Sequence, residues 1–173
     1  AGKALIPRDK MPLLSEHVMA RCDTLDGLED GVVSAPGRCE PDVRSLQCPV
    51  AGADNCLNVG EIEAVERLYQ GAQLNGQQLF PGVLPGSEGL WPIWLVGTDN
   101  ELAWGERAAE GMLRLTYGVA QSEPFNAHDY VLADELDNLQ KYAPVVNATD
   151  PDLSGLEKAG GKLFYYHGLA DPL

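Results

Sequence analysis

The sequence predicts an α+β chain in which a helical, loop-rich layer leads into a single α/β unit at the C-terminal end. Apolar residues recur at helical spacing in several separate segments. The 19 Gly and 12 Pro among the 173 residues interrupt those segments with turns. Near the C-terminus, the apolar and aromatic run from Leu163 to Tyr166 has the character of a buried strand. Since one strand cannot form a sheet, its partners must come from outside the chain or from elsewhere in it.

The composition excludes two classes of partner. The chain carries 12 Lys and Arg residues against 26 Asp and Glu residues, a net charge of −14. Nucleic acids and anionic membrane surfaces attract proteins of the opposite sign, so neither is expected to bind. No apolar stretch approaches the roughly 20 residues that a membrane-spanning helix needs. The charge pattern therefore favours a surface of the kind found on secreted proteins.

The first helix is predicted over residues 10–21. Met11, Leu14 and Val18 fall on one face of this helix, and Asp9 stands at the capping position before it. An irregular region, rich in turn residues and with little periodicity, is expected to follow as far as residue 57.

All four cysteines lie in the first third of the chain, at positions 22, 39, 48 and 56. Their even number and clustering favour two disulfide bonds in an oxidising compartment. A zinc site would need close Cys-x-x-Cys-type pairs, which the sequence lacks. Three pairings are open, of which Cys22–Cys39 with Cys48–Cys56 would staple two successive loops.

The second helix has the clearest boundaries. Asn58 and Glu61 form an Asn-x-x-Glu capping box, and Gly71 is a good terminator after Gln70. Three further helices are predicted over 106–117, over 133–142, and from Asp150-Pro151 to Gly160-Gly161.

The tryptophans concentrate in a Gly- and Pro-rich stretch, residues 72–104. Trp91 and Trp94 could form an aromatic wall that binds a ring-bearing substrate. The alternative is that they anchor the loop layer on its own core.

An acidic loop runs from Cys22 to Val33. Asp23, Asp26 and Asp30 recur within eight residues, with glycines at 27 and 31 permitting sharp turns. Calcium needs six to eight oxygen ligands from carboxylates and backbone carbonyls, and such a loop supplies both. The order of acidic residues is not that of an EF-hand. The alternative is a solvated turn in which the Asp side chains cap local amides.

A carboxylate follows the C-terminal apolar run. Asp171 stands in a turn bracketed by Gly168 and Pro172, and functional groups of open α/β sheets gather beyond the carboxyl ends of strands. An α/β-hydrolase keeps the acid of its catalytic triad at such a place. His17 is expected to be a surface or packing residue, and nothing near His128 marks it as a base. His167 is close to Asp171 in sequence, but both would lie on one turn, whereas a triad histidine must face both the nucleophile and the acid, so a structural role is favoured for His167.

No Gly-x-Ser-x-Gly nucleophile elbow occurs in the sequence. The nearest imitation is Ser87 in Pro85-Gly-Ser-Glu-Gly89, which follows prolines and not a strand, so it is predicted to be a turn. The residues alone therefore supply a triad acid without a nucleophile.

The order of these motifs resembles the tannase and feruloyl esterase family over nearly the whole chain. The specific parts are the acidic Cys-Asp-x-x-Asp-Gly-x-x-Asp-Gly-Val-Val loop and the final Gly-Gly-Lys…His-Gly-x-x-Asp segment. The other matching segments are Ile6-Pro7, Glu61-x-x-Ala-Val-Glu-Arg-Leu-Tyr-Gln-Gly71, Phe80-Pro-Gly82 and Ala148-Thr-Asp-Pro-Asp-Leu-Ser154.

The resemblance implies a secreted or periplasmic serine esterase of the α/β-hydrolase superfamily, whose hydrolase domain is interrupted by a large lid. Residues 1–150 would be lid and residues 151–173 would re-enter the hydrolase domain, with Asp171 as the triad acid. The serine and histidine would lie outside this chain, together with the remainder of the hydrolase domain. The chain alone is therefore expected to be inactive.

The resemblance also implies a structural calcium ion and a disulfide pattern. The carboxylates of Asp23, Asp26 and Asp30 and the backbone carbonyls of Leu28 and Val32 would hold the ion. The implied pairings are Cys22–Cys39 and Cys48–Cys56.

The expected substrate is an aromatic carboxylic ester of the feruloyl or galloyl type, with Trp91 or Trp94 as its contact. Two alternatives stay open. One is an esterase similar to mono(2-hydroxyethyl) terephthalate hydrolase, and the other is a non-catalytic, calcium-dependent binding module.

Overall fold

The structure is a computed structural model that describes residues 5–98, 100–115 and 130–171, so His128 lies outside the described residues. The chain divides into two compact units, one comprising Ala1–Ala109 with Leu169–Leu173 and the other Glu110–Gly168. None of the helices in the described ranges is long and apolar enough to cross a bilayer.

Helix α1, Met11–Cys22, follows a 3-10 turn at Arg8–Lys10. Its predicted inward face is confirmed, because Met11, Leu14 and Val18 are all buried. The predicted Asp9 cap is wrong, because the backbone is already helical at Arg8–Lys10 and a capping residue needs extended backbone. The helix is instead entered directly from that turn, with no side-chain cap at Lys10.

The region between the first two helices is tied by two disulfides, as expected. Cys22 pairs with Cys39 at a Cα–Cα distance of 5.3 Å, and Cys48 pairs with Cys56 at 4.9 Å. The loops between the cysteines contain short 3-10 turns at Asp23–Asp26, Pro36–Arg38 and Val43–Leu46.

Helix α2, Val59–Gln70, has the predicted capping box. The Asn58 side chain accepts a hydrogen bond from the Glu61 amide at 3.0 Å, and the Glu61 carboxylate accepts one from the Asn58 amide at 2.8 Å. Glu61 also pairs with Lys10 Nζ at 2.7 Å, which joins the N-terminal ends of α1 and α2. One capping residue therefore fixes both the start of α2 and its position against α1.

A glycine is required where α2 ends. Gly71 has φ +74°, and a Cβ atom there would lie 2.4 Å from the backbone of Gly82. The loop that returns from residues 79–83 thus crosses directly over the last turn of α2, and Val83 donates its amide to the Leu68 carbonyl at 3.1 Å.

One hydrophobic core lies among α1, α2 and the tryptophan-rich stretch. Leu14, Leu57, Val65 and Trp91 are each fully buried in it. The other buried members of this core are Ile6, Met11, Val18, Cys22, Val33, Val43, Ile62, Ala64 and Val96.

The stretch 72–104 contains a small hairpin and a short helix. Strands β1, Gln73–Leu74, and β2, Gln77–Gln78, pair antiparallel through Asn75-Gly76, where both residues have positive φ as a tight hairpin turn requires. Helix α3 is Trp91–Trp94, and helix α4, Trp104–Leu115, begins two residues before its predicted start.

The second unit contains helices α5, Leu132–Val146, and α6, Ser154–Lys158. The predicted helix start at Asp150 is wrong. Asp150 accepts the Asp152 amide and Asp152 accepts the Ser154 amide, each at 2.9 Å, so two successive Asx turns delay the helix.

The predicted buried strand at 162–167 is not formed within the described chain. These residues pair with no strand there, and Leu163 to Tyr166 are 62 to 86% exposed. A strand needs a hydrogen-bonding neighbour to exist as part of a sheet, and the described residues provide none for this segment.

Candidate functional site

The acidic loop begins where α1 ends, and its first carboxylate is the most buried. Asp23 is 9% exposed. Its Oδ1 atom accepts hydrogen bonds from the amides of Asp30 at 3.3 Å and Gly31 at 3.2 Å, and Oδ2 accepts from Gly31 at 3.1 Å. Asp23 therefore closes the loop by holding its far end.

The other two carboxylates of the loop cap local amides. Asp26 Oδ1 accepts from the Leu28 amide at 2.9 Å, and Asp30 Oδ1 accepts from the Val32 amide at 3.1 Å. Each is an Asx turn, and the glycines at 27 and 31 take the positive φ angles, 99° and 77°, that reverse the chain between them.

The loop has the donor chemistry of a calcium site and the side-chain arrangement of an amide-capped turn. The second carboxylate oxygens of Asp26 and Asp30 accept no hydrogen bond from any described residue, and the Val32 carbonyl accepts one from the Ser34 amide. Within the described ranges, no three metal-ligating side chains converge on one point. The donors thus match a hard cation in kind, while the carboxylates are directed at amides.

The two tryptophans singled out by sequence have different environments. Trp91 is fully buried, with its ring centroid 5.4 Å from that of Tyr69 and its Nε1 donating to Ser87 Oγ at 2.9 Å. Trp94 is half-buried and packs edge-on against Trp104, with a centroid distance of 5.2 Å. Trp91 thus has the contacts of a core anchor, and Trp94 has a partner that is itself 60% exposed.

A buried carboxylate, which the sequence did not single out, organises the turn before α3. Glu88 is 1% exposed and accepts the Tyr69 hydroxyl at 2.6 Å and the Gly86 amide at 3.0 Å. Burial raises the pKa of Glu88, while the hydrogen bond from Tyr69 acts to lower it. Burial, and then the neighbouring Glu88, raise the pKa of Tyr69.

The serine in the same turn has no nucleophilic arrangement. Ser87 is buried, its hydroxyl donates to the Leu84 carbonyl at 2.7 Å, and its oxygen accepts from Trp91. The expectation that Pro85-Gly-Ser-Glu-Gly89 is a turn is confirmed, because Ser87 precedes a 3-10 turn at Glu88–Leu90 and follows no strand.

The remaining predicted residues lie apart from this turn in the chain. Asp171 is exposed and follows a turn at residues 169–170. His167 is exposed, whereas His17 donates a hydrogen bond from Nε2 to the Pro41 carbonyl oxygen at 2.8 Å, which gives it a structural role.

Comparisons with known proteins give the family. The family model described as tannase and feruloyl esterase matches residues 1–173. A probable feruloyl esterase B-2 from Aspergillus terreus is 31% identical over 160 residues, which are 91% of this chain and 29% of that protein. An uncharacterized esterase from Xanthomonas campestris is 28% identical over 183 residues, covering 98% of this chain and 32% of its own length.

A solved structure has the same fold over this region. The crystal structure of feruloyl esterase B from Aspergillus oryzae matches with a TM-score of 0.75 at 23% identity, covering 91% of this chain and 31% of that one. The chain spans about a third of the length of the relatives that it matches. With a family model that matches it from the first residue to the last, the chain belongs to the tannase and feruloyl esterase family.

Proposed function

We propose that this chain is part of a secreted or periplasmic serine esterase that hydrolyses aromatic carboxylic esters of the feruloyl or galloyl type. The family match over residues 1–173 carries the proposal, and relatives named as feruloyl esterases support it. The two disulfides fit an oxidising compartment. The remainder of an α/β-hydrolase domain would supply the groups that this chain lacks.

We propose that the two parts of the chain belong to different domains of the enzyme. Residues 1–150 act as a lid over the substrate, and residues 151–173 form part of the hydrolase domain. The exposed run from Leu163 to Tyr166 supports this division, since four consecutive large apolar side chains are rarely left in water. The neighbouring strands of the hydrolase sheet would cover them.

Asp171 is the proposed acid of a Ser-His-Asp triad. In this mechanism the serine hydroxyl gives its proton to the histidine and attacks the ester carbonyl, and the alcohol leaves with that proton. Backbone amides stabilise the oxyanion, and water then releases the aromatic acid. Asp171 would hold the imidazole in the correct tautomer and stabilise its charged form.

The proposed contact of the lid with the aromatic acyl group is Trp94. The half-exposed pair that it forms with Trp104 offers a ring surface, whereas Trp91 is enclosed by the core.

A structural calcium ion in the loop 23–32 is the second part of the proposal. Asp23, Asp26 and Asp30 would bind it with the carbonyls of Leu28 and Val32, and Asp26 and Asp30 would turn from their amides to do so.

The test is the substitution Asp171→Asn in the full-length protein, assayed with methyl ferulate and methyl gallate. Loss of the triad acid is expected to lower kcat by about 10³- to 10⁴-fold, because the histidine takes the wrong tautomer. The melting temperature should stay close to the wild-type value, because Asn has nearly the size and shape of Asp and leaves the geometry of a triad intact. Wild-type turnover in the Asn variant would remove Asp171 from the triad, and a wild-type protein that cleaves neither ester would overturn the proposed substrate class.

A non-catalytic calcium-dependent binding module is the second candidate. The acidic loop favours it, and wild-type inactivity together with calcium-dependent ligand binding would support it.

A further inference from the structure

A groove of about 230 Å³ opens in the first unit between α3 and the first turns of α4. Its walls are largely apolar, and two arginines from distant parts of the sequence reach it. The lining residues that matter for binding are Arg8, Pro92, Ile93, Val96, Trp104 and Arg107.

The apolar walls of the groove are open to solvent. Ile93 is 53% exposed and Trp104 is 60% exposed, whereas the nearby Trp91 and Val96 are buried. The Trp104 ring is held in place by its edge-on contact with Trp94. A fixed indole beside an exposed aliphatic side chain is a surface suited to one flat, apolar ring.

The cationic side chains give the groove a positive charge, whereas the net charge of the whole chain is negative. The Arg8 guanidinium donates to the Pro92 carbonyl, which holds it at the wall of the groove. Within the described residues, neither Arg8 nor Arg107 has a carboxylate oxygen within 4.0 Å. Among the described residues that line the groove, Glu101 is the one acidic residue, so this part of the lining carries a net charge of 2 − 1 = +1.

This charge is notable because acidic residues outnumber basic ones by 26 to 12 in the chain. Guanidinium groups on such a surface readily find carboxylate partners, as Arg44 does with Glu66 at 2.7 Å. Arg8 and Arg107 have no such partner among the described residues, and both line one largely apolar groove. This arrangement matches a ligand that joins an aromatic ring to an anionic group.

We propose that the groove binds the free carboxylate form of a single-ring aromatic acid, with the ring against Trp104 and Ile93 and the carboxylate near Arg8 and Arg107. The volume limits the ligand to about one ring, since it lies below the ~300–1,000 Å³ of pockets for drug-sized molecules. The choice of acid rests on the proposed function, whose product is such an anion. The ester substrate is neutral at the same position, so the groove selects product over substrate.

The test compares an acid with its ester in the full-length protein carrying Asp171→Asn, so that the ester is not consumed. Isothermal titration with ferulate and with methyl ferulate at low ionic strength is expected to show the acid binding at least tenfold more tightly. Arg107→Gln should weaken ferulate binding about tenfold or more, because a charge-assisted hydrogen bond is lost. Arg8→Gln should weaken it in the same direction.

Two variants serve as controls. Arg67→Gln removes the same charge from an exposed position on α2, away from the groove, and should leave ferulate binding unchanged. Glu101→Gln removes the acidic group found among the described lining residues and should tighten binding. Equal affinities for acid and ester, or equal binding by the Arg67 and Arg107 variants, would overturn the proposal.

The result can be separated from that of the proposed function. If the wild-type protein cleaves aromatic esters but Arg107→Gln does not change ferulate affinity, the proposed binding site in the groove is wrong and the proposed esterase activity is supported. If Arg107→Gln weakens ferulate binding but the wild-type protein cleaves no ester, the proposed binding site is supported and the proposed esterase activity is wrong.

Discussion

Two regions of the molecule differ in how far their apolar side chains are buried. One is the region built on α1, α2 and α3, and the other is the C-terminal segment, residues 154–171. The first buries Leu14, Val65 and Trp91 completely within the chain itself. The second exposes a run of aromatic residues, with Phe164 and Tyr166 each more than 80% exposed. A single chain thus contains one region whose core is complete and one whose apolar surface needs covering from elsewhere.

The difference shows what each region can do by itself. Disulfides, a capping box and a shared core hold the first region, so its stability is expected to be an intrinsic property. The C-terminal segment has the five-residue helix α6, which follows two Asx turns at residues 150–154, and a turn at residues 169–170. Its order is expected to come from the neighbours that cover it.

The largest expected difference between the two regions is in how much the free energy of unfolding falls when an aromatic ring is removed. Trp91→Ala in the 173-residue chain is expected to lower the free energy of unfolding by about 3–5 kcal/mol, because it empties a buried site and leaves Ser87 without its indole partner. Phe164→Ala is the matched control and should cost little, since that ring is 86% exposed. Urea unfolding measures both, and equal losses would break the comparison.

Calcium is expected to give the next largest effect, confined to the first region. If the loop 23–32 binds the ion, a calcium concentration 100 times the Kd should stabilise the fold by about 2.7 kcal/mol. Chelation should then lower the melting temperature, and Asp26→Asn should remove that response. Asp54→Asn, outside the loop, is the control and should keep it. Identical melting curves with and without chelator would argue for the amide-capped turn.

The smallest effect is expected from pH, at the buried carboxylate of the first region. Burial raises the pKa of Glu88 above the ordinary 4.5, so the protonated form is favoured in the folded state. Its stabilising contribution is therefore fully present below pH 4.5 and is lost as the pH rises through the raised pKa. Glu88→Gln does not titrate and keeps an oxygen that can accept the Tyr69 and Gly86 hydrogen bonds.

The stability of the wild-type chain relative to Glu88→Gln should thus be greatest at acidic pH and fall as the pH rises. Thermal unfolding of both proteins between pH 4 and pH 8 measures the difference, which is expected to be smaller than the loss at Trp91. A difference that grows with pH would mean that the hydrogen bonds outweigh burial and favour the charged carboxylate.

Features set by neighbouring residues in the chain were predictable from the sequence. The α2 capping box needs only Asn58 and Glu61, three residues apart, and the Gly71 terminator is equally local. The disulfide pairing is different, because the spacing left three choices open and the family resemblance indicated the observed one.

Features set by distant residues, or by competition between adjacent turns, were not predictable. The Asp9 and Asp150 caps failed because adjacent turns took over the helix starts, which sequence preference alone does not decide. The burial of Glu88 depends on Tyr69, 19 residues earlier, and its sequence context is that of an ordinary solvated turn. A buried strand at 162–167 was expected from residue type, but burial is a property of the partners and not of the strand.

Amide hydrogen exchange of the 173-residue chain and of the full-length protein tests the contrast between the two regions most directly. The account predicts that α2 amides are protected in both proteins, whereas amides of residues 162–167 exchange rapidly in the chain and become protected in the full-length protein. Rapid exchange of residues 162–167 in the full-length protein would contradict the claim that a hydrolase sheet covers this segment.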